Sequence, residues 1–377
     1  MCIKRREVRI YDKELADIWQ QAVNVSGTDL DFEASFYQDE WSQVVCANDA
    51  FTRPLYLRAP RTGRGIKLDR AKRMAVWDVF DSYRMLLTEK KLRDPELAMY
   101  DCRSILQDKA GQPVYVSVIV DEGQDINMPA YRLLRAIAGP EHENDLFIVG
   151  DTHQRIYKYR AVLSMAGINV RGRRTKNLKI NYRTTEETRR YAFAVLKGIP
   201  FDNMDGEIDV DDRCQSLIHG SAPELKTFKT AEEEAAWIVA EIKSLQSTGV
   251  KLQDICVIFR TRPLIEKYQP LLEAAGLSTL IVSANNDNKQ EKQEGKLRMA
   301  TMHRVKGLEF EYIFLASANA DVLPLKYAMD SADDAVSKHE IETSERCLVY
   351  VTLTRARNAA YISGFGKMSR FIDTNKK

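Results

Sequence analysis

Two adjacent carboxylates, Asp121 and Glu122, follow an apolar, β-branched run at residues 114–120. Such a run predicts a buried parallel strand, and the ligands of open α/β sheets bind at the carboxyl ends of the strands. One carboxylate could hold Mg²⁺ on nucleotide phosphates while its neighbour takes the proton of an attacking water. Taken by itself, such a pair is more typical of an acidic surface turn, but the strand before it and the motifs that follow favour the chemical role.

A second apolar strand is predicted at residues 146–149, and residues 150–160 continue it as GDTHQRIYKYR. Gln154 is a polar residue that could sense a ligand. Aromatic faces stack on unpaired bases and cations follow the phosphate backbone, so the sequence after Gln154 suits single-stranded nucleic acid. The residues concerned are Tyr157, Tyr159 and Arg160. Considered alone, the two tyrosines are more typical of ordinary packing.

Hydrophobic periodicity predicts the elements that position these residues. Helices are expected at residues 75–87 and 129–138, the second of them between the two strands. The pattern then repeats with a helix at 231–245, a strand at 255–259, a helix at 264–275 and a strand at 312–316. Strands that alternate with helices predict parallel α/β sheets, here in two domains.

Other parts of the chain carry weaker signals. Residues 1–75 are aromatic-rich and show no long periodic segment, whereas residues 285–296 are almost free of apolar side chains and predict a flexible loop. Residues 58–73 and 171–179 are rich in arginine and lysine, although the net charge is only +2, from 56 basic and 54 acidic residues. Such clusters bind nucleic acid or form a solvated face.

Five segments resemble, in order, the later motifs of UvrD-like superfamily 1 helicases. They read VIVDEGQD, VGDTHQRIY, NYRTTEETR, ATMHRVKGLEF and ERCLVYVTLTRAR. The resemblance covers residues 30–377 and implies an α/β fold of two RecA-like, P-loop NTPase-type domains with parallel sheets, the first incomplete. It implies that residues 1–74 are a remnant of the helical 1B subdomain, 75–195 a partial domain 1A and 196–377 domain 2A.

The resemblance also implies roles for single residues. Asp121 becomes the Mg²⁺ ligand, Glu122 the catalytic base and Gln154 the sensor of the γ-phosphate. Arg183 and Arg355 become the arginines that neutralise charge on the transferring phosphoryl group. ATP and Mg²⁺ are therefore the expected cofactors.

Further residues of the later motifs receive roles in the same way. Gly307 and Glu309 lie in KGLE and are expected to contact the nucleotide. Thr301 and His303 are expected on the DNA side of the same motif, together with the aromatic and basic residues after Gln154. Tyr182 stands before Arg183, where the family has an aromatic residue.

The sequence departs from the family pattern in two ways. No GxxxxGK[ST] segment occurs, and neither does the family's upstream adenine motif. The loop that normally cradles the ATP phosphates is thus missing from these 377 residues. The space for the family's large 2B insertion holds little more than the polar stretch at 285–296, which predicts that no 2B domain is present.

Composition limits the remaining possibilities. The six cysteines have no metal-ligand spacing, no apolar run approaches the roughly 20 residues of a membrane span, and no signal peptide is recognisable. A cytoplasmic location is expected.

The expected activity is ATP-driven 3′–5′ translocation and unwinding, with single-stranded or partly duplex DNA as partner. An upstream polypeptide that supplies the P-loop is a possible second partner. A non-hydrolysing DNA-binding or regulatory protein on a helicase scaffold, and a fragment of a longer gene, are the alternatives.

Overall fold

The structure, a computed structural model, divides into two compact units that interleave along the chain. It describes residues 9–10, 15–108, 115–156, 161–205, 214–283, 295–330, 332 and 334–372. The first unit contains the described residues up to 151, residues 161–175 and residues 204–205. The second contains residues 152–156, 176–203 and the described residues from 214 onward. The domain boundaries at 74/75 and 195/196 stay predictions.

The first unit begins with a helical subdomain. Its elements are β1 (Arg9–Ile10), α1 (Leu15–Ser26), α2 (Ala34–Glu40), a π-helical turn (Trp41–Cys46), α3 (Arg53–Arg58), α4 (Arg70–Glu89), β2 (Leu92–Arg93) and α5 (Pro95–Asp108). Aromatic side chains fill its core, and Trp19 stacks on Tyr83 with 3.7 Å between ring centroids. The helix predicted at 75–87 is confirmed within α4, whose amino end is capped by Asp69.

Buried contacts explain three arginines of the first basic cluster. Glu40 is fully buried and accepts hydrogen bonds from Tyr56 Oη at 2.9 Å, from Arg61 Nε at 2.6 Å and from Arg64 Nε at 3.1 Å. Arg73 donates to three main-chain carbonyls at the end of α3. These arginines therefore hold helices together, and neither a solvated face nor a nucleic-acid surface describes them.

Asp94 is a second buried carboxylate in this subdomain. It caps α5 by accepting from Leu97 N at 2.7 Å, and it also accepts from Trp41 Nε1 at 3.2 Å and Tyr83 Oη at 3.1 Å. Burial raises the pKa of Asp94 from 3.8 to about 6, although these hydrogen bonds act in the opposite direction. No cation among the described residues forms an ion pair with it.

A two-stranded parallel sheet completes the first unit. Its strands are β3 (Val118–Val120) and β4 (Leu146–Ile148), with α6 (Met128–Ala138) between them. One face packs on a small core that includes Leu146 and Ile148. On the other face Ile119 is 75% and Phe147 61% exposed. The prediction that both strands are buried is thus wrong for this face, because no described element covers it.

The second unit is built on a six-stranded parallel sheet of order β7-β12-β11-β8-β10-β9. Its strands are β7 (Glu224–Phe228), β8 (Ile255–Phe259), β9 (Thr279–Ile281), β10 (Leu297–Thr301), β11 (Phe310–Leu315) and β12 (Ala356–Phe365). A separate short parallel pair, β5 (Ile180–Asn181) and β6 (Gln215–Ser216), precedes this sheet in the sequence. The helices are α7 (Glu186–Val195), α8 (Ala231–Ser247), α9 (Arg262–Ala274), α10 (Lys326–Asp330) and α11 (Ala335–Leu353).

Strand β8 shows why this sheet forms. All five of its side chains are buried: Ile255, Val257 and Phe259 pack with α8 and α9, whereas Cys256 and Ile258 pack in the core that contains α7 and α11. Helices on both faces make a parallel sheet stable. The α/β fold class is confirmed, as are the elements predicted from residue 231 to 316, with shifts of a few residues at their ends. No described helix is long and apolar enough to cross a bilayer.

Asp94 makes the stability of the helical subdomain depend on pH. Because its pKa is raised in the folded state, the stability it contributes is fully present below pH 3.8 and is lost as the pH rises through about 6. We expect the unfolding free energy of Asp94→Asn, relative to the unmodified protein, to improve by about 2 to 3 kcal/mol between about pH 4 and about pH 8.

Denaturant unfolding at the two pH values measures this change. Asp17→Asn, at an exposed position of α1, is the control and should show no such change. A difference between Asp94→Asn and the unmodified protein that is the same at both pH values would contradict the assignment.

Candidate functional site

The carboxylates Asp121 and Glu122 lie directly after β3, as predicted. Asp121 is exposed, and its Oδ1 accepts a hydrogen bond from Glu122 N at 2.8 Å. Glu122 adopts a left-handed backbone conformation with φ 51° and ψ 41°. This region costs a non-glycine residue about 1 to 2 kcal/mol, and such residues cluster at functional sites. The turn therefore presents two carboxylates in a conformation that the surrounding structure must enforce.

Gln124 holds the Glu122 side chain, a role that sequence reasoning missed. Its Nε2 donates to Glu122 Oε2 at 2.5 Å, and its Oε1 accepts from Asp151 N at 2.9 Å. The amide thereby connects the residues after β3 with those after β4. Its side chain lies so close to Gly150 that a Cβ there would come within 2.9 Å of Gln124 Oε1.

Gly123 is required for a similar reason. Tyr131 Oη donates to Gly123 O at 2.6 Å, and a Cβ on Gly123 would lie 2.7 Å from that hydroxyl and 2.8 Å from Ile148. The sequence did contain a signal for these close contacts, since a glycine follows each of β3 and β4. Glycine in such a position often marks the close approach of another group.

The carboxylate pair fits a magnesium ion that is shared with phosphate. Mg²⁺ commonly binds through one or two carboxylates together with waters and substrate phosphates. The described residues contain no group of three or more metal-ligating side chains, so they offer no closed cage. Asp121, exposed at a strand end, supplies one open ligand position.

A buried arginine lies at the centre of the predicted site residues in the second unit. Arg355 is 2% exposed and precedes β12. Its guanidinium donates to Val351 O at 3.1 Å, to Leu308 O at 3.4 Å and to Gln154 Oε1 at 2.9 Å. The structure thus brings together two predicted site residues that are 201 positions apart.

Arg183 and Glu309 form a second contact between predicted site residues. Arg183 Nε lies 3.1 Å from Glu309 Oε2, and both side chains are about half exposed. Arg357 also approaches Glu309, at 3.6 Å. Asn181 Oδ1 accepts from Arg183 N at 2.7 Å and sets the turn that carries the arginine. Tyr182 is 69% exposed beside it.

Four predicted residues lie at the end of β10 and in the loop that follows it. This loop runs from the edge formed by the carboxyl ends of the strands to the edge formed by their amino ends. Thr301 ends β10 and pairs with Phe259, the last residue of β8. Glu309 directly precedes β11, whose first residue, Phe310, pairs with the first residue of β12. Thr301 and His303 thus lie at the carboxyl edge and Glu309 at the amino edge. Gly307 has φ 80°, which favours glycine at this point of the loop.

His303 lies beside an ion pair at the carboxyl edge. Partial loss of solvent lowers the pKa of His303, the nearby Arg260 cation lowers it further, and Glu345 acts in the opposite direction. Arg260 and Glu345 are themselves joined by short contacts of 2.5 to 3.1 Å. A lowered pKa favours the neutral imidazole, which can both donate and accept a hydrogen bond. Tyr157, Tyr159 and Arg160 lie outside the described residues.

Two family models match the chain. One, described as the UvrD/REP helicase N-terminal domain, matches residues 17–164. The other, described as the UvrD-like helicase C-terminal domain, matches residues 176–287 and 265–367. The chain belongs to the UvrD-like helicase family. The resemblance to UvrD-like helicases that was noted from the motifs is thereby confirmed.

The relatives of this UvrD-like chain are named as helicases. A probable DNA helicase of Mycoplasma pneumoniae is 27% identical over 257 residues, 65% of this chain and 42% of that protein. The putative ATP-dependent DNA helicase YjcD of Bacillus subtilis is 29% identical, over 40% of this chain and 19% of that protein. The ATP-dependent DNA helicase srs2 of Schizosaccharomyces pombe is 25% identical, over 45% and 19%. The chain spans less than half the length of these relatives.

The chain is also similar to solved structures. One of them is described as the C-terminal domain of a possible DNA helicase from Lactobacillus plantarum. The two chains share 16% identity with a TM-score of 0.36, over 51% of this chain and 92% of the other.

The contact between Gly123 and Tyr131 generates a testable prediction. Gly123→Ala forces a methyl group against Tyr131 Oη and Ile148, so we expect the unfolding free energy to fall by about 1 to 3 kcal/mol. In a Tyr131→Phe background the hydroxyl is absent and the same change should cost less. A double-mutant cycle by denaturant unfolding measures the coupling. Strictly additive losses would show that the close approach is not what requires glycine.

Proposed function

We propose that this UvrD-like chain is the motor part of an ATP-dependent DNA helicase that moves 3′–5′ along single-stranded DNA. The observation that carries the proposal is the cluster of Arg355, Gln154, Arg183 and Glu309 in the second unit. These four residues come from four of the five motif segments. The direction of movement and the preference for DNA rest on family membership. A cytoplasmic location belongs to the same proposal.

The carboxylates of the first unit suit phosphoryl chemistry. Asp121 would hold Mg²⁺ on the phosphates, and Glu122 would accept the proton of the attacking water. A positioned general base contributes about 10² to 10⁴ in rate. Glu122 is held in one orientation by Gln124, which is what a base needs in order to meet a water at a fixed position.

The arginines supply the positive charge for the same reaction. Arg183 is half exposed and forms an ion pair with Glu309 through its Nε, so its outer nitrogens can turn towards an added phosphate. Arg355 is already ordered by three acceptors. An arginine that neutralises developing charge is worth about 10³ to 10⁵ in rate in phosphoryl-transfer enzymes. Gly307 and Glu309 complete the proposed nucleotide contacts.

The proposed DNA contacts lie on a different edge. Thr301 and His303 are at the carboxyl edge of the six-stranded sheet, whereas Glu309 and Arg355 are at the amino end of β11 and β12. A single small ligand cannot reach both edges, which favours separate roles. Tyr157, Tyr159 and Arg160 are proposed as the stacking and backbone contacts to single-stranded DNA on their sequence pattern alone.

Nucleotide binding also needs a phosphate cradle. A P-loop provides backbone N–H groups, a lysine and a hydroxyl on Mg²⁺, and carboxylates with two arginines cannot replace these. We therefore propose that a second polypeptide segment, with a strand, a P-loop and a helix, supplies this cradle. The exposed face of β3 and β4 around Ile119 and Phe147 supports this, because parallel sheets are normally covered on both faces.

The alternative is a DNA-binding or regulatory protein that does not hydrolyse ATP. The absence of GxxxxGK[ST] from the sequence favours it. The alternative requires single-strand binding that is unaffected by ATP, whether or not a P-loop segment is supplied.

Glu122→Gln tests the proposed chemistry. In the chain co-expressed with a strand, P-loop and helix segment, the variant should bind ATP normally but turn it over at least about 10²-fold more slowly, since it lacks the base. DNA-stimulated phosphate release and nucleotide titration measure the two properties. Glu143→Gln, at an exposed position before β4, is the matched control. Unchanged turnover in Glu122→Gln would remove Glu122 from the mechanism.

The isolated 377-residue chain provides the second test. We expect weak ATP binding and negligible hydrolysis, because the phosphate cradle is missing. Calorimetric titration with and without Mg²⁺ measures the affinity, and addition of the P-loop segment should restore binding. Micromolar, Mg²⁺-dependent binding with turnover by the chain alone would show that the phosphates are held in another way.

A further inference from the structure

The segment that carries Gln154 is fixed to the second unit by an ion pair. Arg155 Nη1 and Nη2 donate to the two carboxylate oxygens of Asp202 at 2.6 and 3.0 Å. The Arg155 side chain is 11% and the Asp202 side chain 25% exposed. This two-pronged geometry fixes direction as well as distance, because both donors are in one plane. Arg155 thus has a defined orientation immediately after Gln154.

The remaining residues of the segment are held on both sides of Gln154. His153 packs among the rings of Phe193, Phe201 and Tyr350, with centroid distances of 5.3, 4.4 and 5.9 Å. Ile156 is buried in the core of the second unit. Its carbonyl accepts from Ser344 Oγ at 2.8 Å, and the Gln154 carbonyl accepts from Lys306 Nζ at 3.0 Å.

These contacts determine where the Gln154 side chain can go. With its backbone held on both sides, Gln154 Oε1 meets Arg355 Nη2 at 2.9 Å. Arg355 is almost fully buried, so its guanidinium has little freedom to follow a displaced partner. A displacement of about 1 Å in a catalytic group can reduce the rate about 10²-fold.

We propose that Asp202 is a positioning residue, which acts through Arg155 to hold Gln154 against Arg355. The inference rests on the proposed ATP hydrolysis for its catalytic consequence, but the positioning itself does not. Asp202 lies in none of the motif segments that resemble the family. Arg155 Nε has no acceptor among the described residues, which leaves Asp202 as the carboxylate that orients the guanidinium.

A structural role alone predicts a different outcome. Partly exposed ion pairs contribute little to stability, and their removal affects distant residues additively. Glu342 provides a matched comparison in the same unit: it pairs with Arg346 at 3.0 Å, with side chains 26% and 18% exposed. Glu342 also pairs with Arg370 at 2.8 Å. Glu342→Gln therefore removes a carboxylate whose exposure is similar to that of Asp202 and whose two ion pairs do not involve residues 152–156.

The first experiment does not require ATPase activity. Asp202→Asn in the full chain should increase the rate of amide hydrogen exchange at Arg155, whose N–H donates to Thr152 O, whereas Glu342→Gln should leave it unchanged. The losses in melting temperature from Asp202→Asn and Arg355→Lys should be less than additive when combined. Asp202→Glu, which keeps the carboxylate, should restore part of the protection. Additive losses and unchanged exchange at Arg155 would overturn the proposal.

The second experiment measures the catalytic consequence in the complex with the P-loop segment. Asp202→Asn should lower kcat at least about 10-fold with KM nearly unchanged, and the effect should disappear in a Gln154→Ala background. If Asp202→Asn does not fold, Arg155→Lys removes the two-pronged contact and should give the same kinetic signature. Absence of ATPase in every variant, together with coupled melting losses, would refute the proposed function but retain the positioning role. A loss of kcat that persists without Gln154 would overturn positioning.

Discussion

The arrangement of the second unit depends on one buried cation. Arg355 is charged at any physiological pH, and removing such a group from water costs several kcal/mol unless acceptors surround it. The acceptors are Val351 O at the end of α11, Leu308 O in the loop before β11, and Gln154 Oε1. Val351 is only four positions from Arg355, but the segments with Leu308 and Gln154 are distant in sequence and must converge on the guanidinium. That convergence assembles the candidate site.

The parallel sheet makes the convergence possible. Because β11 and β12 are adjacent and start in register at Phe310 and Ala356, the residues just before them are neighbours. Glu309 and Arg355 are these residues. The hydrogen bond from Thr184 Oγ1 to Thr354 O adds the turn that carries Arg183. Strand register thus brings Glu309 and Arg355 together, and the acceptors around the guanidinium hold the other segments there.

The sequence predicted the parts of the fold that have strong local patterns. Strand Ile255–Phe259 was correct to the residue, because a run of five buried β-branched and apolar side chains between two helices has few alternatives. The helices α2 and α3 have only seven and six residues, too few for a periodic signal. The longer helices α1, α5, α7 and α11 were not predicted either.

Contacts between distant residues were less accessible to sequence reasoning. The basic cluster at 58–73 contains Arg61 and Arg64, which bind the buried Glu40. Composition could not distinguish an arginine in a core from one on a surface, since the partner lies more than 20 positions away. The motif resemblance identified Gln154 and Arg355 separately, but not Asp202, whose role depends on a fold-level contact with Arg155.

The two units differ in what holds their functional residues. Glu122 is in a strained left-handed conformation on a turn that follows a strand of three residues. Gln124 holds its side chain, and the next residue, Gly123, packs closely against its neighbours. Strain of this kind persists only where the surroundings over-determine the backbone. The face of β3 and β4 opposite α6 is exposed at Ile119, so part of that support is absent from the described residues. In the second unit both faces of the sheet are covered, and the arginine is ordered before any ligand binds. The carboxylates are therefore the proposed site residues whose geometry is most sensitive to what packs against β3 and β4.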